Sequence, residues 1–416
     1  MSIKHYDIAI IGGSLAARIA AALLAKQGSK VFFLRHREAT ASAWSHSSLF
    51  LEKLLGTLGG MSCFMEHKPI QVLSRKARVT LSRDIPLDRE LSREFGPDGP
   101  AVTRWLEQLA TQGDRLEDLL WENGGLPWPS LKTSARFKLL SLRRKINWSE
   151  LDAPLATSLE QLPQAAVTFV IDLLQGLALK KIHELSLAQA ALLWTQVMRP
   201  EILKEPDFSQ LLSKRFDQFH GLRASLEDLV RLDYRDSRWT GGQLKDGGQF
   251  TADNFLLGDT RWSGYFAPGQ TITLPEANNL SRHATGPLTG QLSPLLASRV
   301  ICGGDLPLRL AIDTAEDELQ GQIVSPGAAQ EDDLRRQLEP ALPFARYKLS
   351  EEVEPPGRQP AAETARQPQS LTRLPLRIGS NLYCADNNAL LAEMGPAGAA
   401  LLGWTLTENL ANRRSR

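Results

Sequence analysis

Six residues near the start of the chain, Gly12-Gly13-Ser14-Leu15-Ala16-Ala17, have types and spacing that could hold a pyrophosphate. The dinucleotide fingerprint is G-x-G-x-x-G/A. Its first glycine makes the tight turn, its second lets backbone approach phosphate, and its third place lets helix pack on strand. Gly12 fills the first place and Ala17 the third. Ser14 fills the second, where a side chain either crowds the phosphate or donates a hydroxyl to it. The acidic residue that should accept the ribose hydroxyls about twenty positions on is missing. The chain reads Leu34-Arg35-His36-Arg37 there, with Glu38 slightly beyond. An arginine at a strand end suits a 2′-phosphate. Three readings stay open: an NADP site using Arg35 and Arg37, a FAD site with altered ribose contacts, and a purely structural turn.

A second set of polar residues lies at the other end of the sequence. Residues 381–386, NLYCAD, form a short apolar run that delivers Asp386, followed by Asn387, Asn388 and Gly395-Pro396-Ala397-Gly398. Ligands of open α/β sheets bind beyond the carboxyl ends of the strands. Asp386, Gly395 and Gly398 therefore join Gly12, Gly13, Ser14, Ala17 and Arg35 as candidate cofactor-binding residues. An ordinary helix covering the sheet is the alternative. The seven histidines show no pairing at ligand spacing, and structural or surface roles are expected for them. His46 stands out only for its polar neighbours Ser45, Ser47 and Ser48. Trp239, Trp262, Tyr265 and Phe266 line an aromatic cavity or belong to the core. No catalytic residue and no metal site are assigned.

The elements that must position these groups are legible. Residues 6–11 read as a buried parallel strand, 15–27 as an alanine-rich helix ended by Gly28, and 30–35 as a second strand. Strand, glycine turn, helix and strand within about thirty residues make the βαβ unit of a doubly wound sheet, with the helix N-terminus aimed at any bound phosphate. Helices are expected over 98–121, 164–198, 332–338 and 397–412. Residues 215–232 read as a turn and a helix. Asp246-Gly247-Gly248 reads as a hairpin turn leading to a buried strand that ends at Gly258-Asp259. Residues 269–278, 308–312 and 321–325 read as strands of a second sheet, and 351–370 as an exposed loop. The stretch 135–147, ARFKLLSLRRKIN, is either a solvated helix face or a membrane-surface element.

Composition bounds the rest. A chain of 416 residues with 42% hydrophobic content can fill a large core and two or three domains. The formal net charge of +1 gives no electrostatic reason to expect nucleic acid as a partner. Cys63, Cys302 and Cys384 form neither a metal pattern nor a disulfide framework, which points to a reducing, cytoplasmic setting. No uncharged run of eighteen apolar residues calls for a spanning helix; a peripheral membrane contact stays open.

The order of these elements resembles the FAD-dependent phytoene desaturase and amine oxidase group of two-domain flavoproteins. The similar stretches are 7–35, 49–88, 244–258 (LKDGGQFTADNFLLG) and 381–410. The resemblance implies an α/β fold: a Rossmann-type FAD/NAD(P)-binding domain with a second substrate domain of mixed sheet and helix. It implies a dinucleotide-binding domain from segments 1–75, 215–265 and 371–416. It also implies a largely helical substrate or cap domain over 76–214, completed by 266–370. It places the region of His46 near a flavin. It further implies a FAD-dependent oxidoreductase that takes a hydride from an apolar or amine-bearing substrate. The departures, Ser14, Arg35 and Ala385-Asp386 for Gly-Asp, fall on ligand contacts. They leave two alternatives: a non-catalytic flavoprotein-like scaffold or partner subunit that has lost FAD, and an NADP-binding protein.

Overall fold

The computed structural model describes residues 3–35, 46–66, 68–82, 84–199, 201–260, 275, 280–315, 318–326, 330–351 and 370–411. The expected βαβ unit opens it. Strand β1 (Lys4–Ile11) is followed by helix α1 (Leu15–Lys26) and strand β2 (Val31–Arg35). The run of alanine and leucine in α1 buries ten residues, on all sides of the helix. A helix apolar all round must be covered all round. The sheet, the helix Glu205–Gln218 and the C-terminal helix Gly395–Ala411 supply that cover. Gly403 permits the last contact, since a Cβ there would lie 2.7 Å from Ile19 Cγ2 and 2.9 Å from the Ala16 carbonyl. Gly28, at φ +81°, closes the turn into β2.

The first sheet runs in the order Leu222–Ser225, β2, β1, Gln249–Leu257, with Arg238–Leu244 and Leu229–Arg235 continuing as an antiparallel meander. Leu382–Cys384 adds in parallel to the second half of Gln249–Leu257. The register puts Leu34, Ile11, Leu257 and Cys384 in one row. The residues that follow them, Arg35, Gly12, Gly258 and Ala385, therefore meet at one sheet edge. Four chain segments far apart in sequence build that edge.

The second sheet runs Leu349–Glu351, Leu280–Thr285, Glu318–Pro326, Leu308–Ala315, Arg299–Cys302, Ile70–Leu73, Arg78–Leu81. Helix Gln164–Ala178 packs on its Arg299–Cys302 and Leu308–Ala315 strands, Leu187–Val197 packs on that helix, and Gly99–Asn123 packs on Leu187–Val197. Gly113 brings Gly99–Asn123 so near Leu187–Val197 that a Cβ would lie 2.4 Å from the Ala191 carbonyl. The expected strands at 308–312 and 321–325 lie within this sheet. Residues 269–278 and 351–370 fall almost wholly outside the described residues. The helical run 164–198 is two helices, parted where Leu179 turns left-handed at φ 52° and restarted by a Ser186–Gln189 capping box.

One expectation is overturned. Residues 215–232 do not hold a turn and a following helix. The helix Glu205–Gln218 comes first, and Leu222–Ser225 and Leu229–Arg235 are strands. The three-residue spacing of Leu226, Leu229 and Leu232 imitates a helical face. It arises from a short turn at Leu226–Asp228 and a bulge between Leu229 and Arg231. A bulge adds one residue and stretches the two-residue period of a strand. Among the described residues, no helix is long and apolar enough to cross a membrane.

Candidate dinucleotide site

The turn after β1 is shaped by backbone crowding. Gly12 sits at φ +100°, and a Cβ there would lie 2.5 Å from the Asp259 backbone nitrogen. Its own N–H donates to the Leu34 carbonyl at 2.9 Å. Gly258 faces it, and a Cβ on Gly258 would come within 2.5 Å of Ala17 Cβ. Gly12 and Ala17 thus hold their fingerprint places because β1, α1 and the end of Gln249–Leu257 interlock there. Gly13 is half-buried beside them.

Ser14 is the N-cap of α1. Its hydroxyl accepts from the Ala17 N–H at 3.2 Å and donates to the Ala385 carbonyl at 2.6 Å. The side-chain oxygen of Asn387 accepts from the Ala16 N–H at 3.1 Å. Free N–H groups in the first turn are what give a helix its affinity for phosphate. Two of these donors are already satisfied, one by the cap and one by the C-terminal segment.

Asp386 is 1% exposed. One carboxylate oxygen accepts from the Thr260 N–H and hydroxyl, both at 2.9 Å. The other accepts from the Asn388 N–H at 2.9 Å. Burial pushes its pKa above the usual carboxylate range, against the pull of the Thr260 and Asn388 hydrogen bonds, and neighbouring Asp259 adds to the rise. Gly395 starts the last helix at φ +52° with open space around its Cβ position. Gly398 instead packs inward, where a Cβ would lie 2.5 Å from the Leu391 carbonyl. Just before Gly395, Glu393 forms a buried ion pair with Lys180 at 2.8 Å, which Gln189 joins at 2.6 Å. Burial alone would raise the Glu393 pKa, but Lys180, a backbone hydrogen bond and Gln189 together outweigh it and the net direction is down.

Arg35 stands at the edge as expected, but its guanidinium donates to the Ser213 hydroxyl, at 3.4 Å, on the covering helix Glu205–Gln218. Arg18 donates to the Ser209 carbonyl and Arg223 to the Ser213 carbonyl on the same helix. Arg37, Trp262, Tyr265 and Phe266 lie outside the described residues. Trp239 belongs to the core, with its ring against Tyr234 and Phe255. Cys63 is buried, and burial raises its thiol pKa, which disfavours the nucleophilic thiolate.

Sequence reasoning did not single out two features. The capping role of Asn387 is one, and its partner is 371 positions away. The other is a charge cluster beside His46. Ser48 caps helix α2 (Leu49–Leu58). Ser47 donates to Glu52, and Arg199 is held between Glu52 and the buried Glu117. Burial raises the Glu117 pKa and Arg199 opposes the rise. Arg199 borders a cleft of about 230 Å³ lined by Leu81, Ile85, Leu87, Val197 and Met198.

No protein-family model matches the chain, and no curated protein matches its sequence. Solved structures do match its shape. Cyclohexylamine oxidase from Brevibacterium oxydans aligns with a TM-score of 0.58 at 14% identity, covering 99% of this chain and 100% of that one. Wild-type putrescine oxidase bound to putrescine aligns at 0.60 and 14%, covering 100% of both. A geranylgeranyl bacteriochlorophyll reductase-like protein from Thermoplasma acidophilum aligns at 0.52 and 10%, covering 100% of this chain and 80% of that one. The fold is that of the amine oxidase-like flavoproteins. The expected α/β architecture, a Rossmann-type sheet with a second mixed sheet and helices, is thereby shown.

Within the oxidase fold, the candidate residues divide. Gly12, Gly13, Ser14, Ala17 and Asp386 are brought to one place, at the junction of α1 with the 385–388 segment. Gly398 serves the packing of its own turn, and Arg35 is engaged by a helix. Two first-turn donors, the Ala16 and Ala17 N–H groups, and the carboxylate of Asp386 already have partners within the chain. As placed, these groups are not available to the pyrophosphate of a dinucleotide.

Proposed function

We propose that this chain keeps the oxidase scaffold and has converted its dinucleotide seat into an internal joint. It then works as a non-catalytic scaffold or partner subunit. The observation that carries this reading is the double closure of α1: Asn387 on the Ala16 N–H, and Ser14 bridging Ala17 and Ala385. A buried polar group already paired has nothing to gain from a ligand that must first displace its partner. The engaged carboxylate of Asp386 supports the same reading.

A second reading is favoured by the whole-length match to two oxidases. It is a FAD-dependent oxidoreductase acting on an apolar or amine-bearing small molecule. A flavin carries the redox chemistry itself, and the protein positions and tunes it. The NADP reading is weakened by the engagement of Arg35 with Ser213.

The test is an absorption spectrum of freshly purified protein, then titration with FAD and with NADP. A colourless protein that takes up neither supports the scaffold. Visible flavin bands with FAD released on heating overturn it in favour of the oxidoreductase. Uptake of NADP that is lost in Arg35→Glu overturns it in favour of the third reading.

A further inference from the structure

The helix Leu131–Arg143 shows apolar residues that the fold leaves uncovered. Phe137, Leu140 and Ser141 face inward, where Phe137 packs on Trp148. Leu139 and Leu142 are 68% and 76% exposed. With exposed Ala135 they stand at i, i+4 and i+7, which is one stripe along a helix. Lys138 borders the stripe on one side, Lys132 and Arg136 on the other, and Lys145 follows the helix end; all four are exposed.

Two carboxylates on the helix packed against this one, Gly99–Asn123, are already used. Glu122 pairs with Arg143 at 3.2 Å and with Arg144 at 3.0 Å, and Asp118 pairs with Arg144 at 3.1 Å. Lys132, Lys138 and Lys145 form no ion pair among the described residues. Arg143 and Arg144 thus anchor the helix to the body, and the three lysines face outward with the leucines.

We propose that this face docks on an anionic lipid surface, with Leu139 and Leu142 entering the headgroup boundary and the lysines meeting lipid phosphates and carboxylates. An apolar stripe bordered by basic residues is the pattern of a helix that lies in the interface plane. A second copy of the chain fits the stripe poorly, because it would bring the same lysines face to face. An acidic partner protein would satisfy the lysines, but the two leucines at the crest favour a surface they can enter. The proposal does not depend on whether a dinucleotide binds.

The experiment is co-sedimentation of the full-length protein with phosphatidylcholine vesicles, with and without phosphatidylserine. Binding is expected only with phosphatidylserine, and it weakens as salt rises. Leu139→Glu with Leu142→Glu, and separately Lys132→Gln with Lys138→Gln and Lys145→Gln, should each lower binding at least about tenfold. All five positions are exposed, so an unchanged melting curve should show that the variants fold. No binding to anionic vesicles, equal binding to neutral ones, or full binding by the variants overturns the proposal. So does a wild-type dimer that the leucine variants dissociate, which would identify a second copy as the occupant.

Discussion

The Asn387 side-chain oxygen lies 3.1 Å from the Ala16 backbone nitrogen and takes one of the donors that a phosphate would use. Ser14, two residues earlier, takes the next donor, the Ala17 N–H, and donates its own proton to the Ala385 carbonyl. The joint therefore links the first helix to the last strand at the edge where the oxidase fold would seat a cofactor. What remains of the fingerprint, Gly12 and Ala17, serves backbone packing and would be needed with or without a ligand.

If the joint is structural, its loss should lower stability. Asn387→Ala and Ser14→Ala should each cost about 1–2 kcal/mol, the usual range for a helix cap or a buried hydrogen bond. Urea unfolding of both variants checks this. Because both residues hold the same segment, the double variant should depart from additivity. Full additivity would mean that the two contacts act independently.

Gly12 and Gly395 both have positive φ but should respond differently to a side chain. Gly12→Ala meets the Asp259 backbone at 2.5 Å, whereas Gly395→Ala meets nothing within 4 Å. Gly395→Ala should cost about 1–3 kcal/mol, because φ 52° with ψ −133° is a backbone region that side-chain-bearing residues rarely adopt. Gly12→Ala should cost clearly more, or prevent folding, since the backbone there has nowhere to move. Thermal melts of the two proteins compare them directly.

A third expectation concerns pH. Asp172 accepts from Ser74 at 2.5 Å and from the Gly304 N–H at 3.0 Å, and burial outweighs these bonds to raise its pKa. A carboxyl raised in the folded state is protonated there longer than in the unfolded chain. Its penalty is absent below the unfolded pKa, near 4, and grows as pH rises through the folded value. Asparagine can keep both contacts, accepting from Gly304 and donating to Ser74. Relative to wild type, Asp172→Asn should gain stability as pH rises from about 4 toward neutrality, by about 1.4 kcal/mol per unit of raise. Unfolding curves at several pH values test it. A constant difference across that range would refute it.

Local signals in the chain were enough for β1, α1 and β2, because a buried strand, a tight glycine turn and an alanine-rich helix are specified by neighbours in sequence. The glycine turn at Asp246–Gly248 and the last helix are local in the same sense. Local spacing misread 215–232, where a bulge produced a helix-like period.

The sequence by itself determined the architecture and named the residues that gather at the sheet edge, Gly12, Ser14 and Asp386 among them. It left open whether that edge holds a ligand, because a serine in the second glycine place suits either outcome. Only the tertiary structure decided what those residues bond to. Ser14 with Ala385, Ala16 with Asn387, and Thr260 with Asp386 are partners separated by 371, 371 and 126 positions. Hydrogen bonds act over about 3 Å. No periodicity or motif in a linear chain can show which distant groups the fold will bring within that reach.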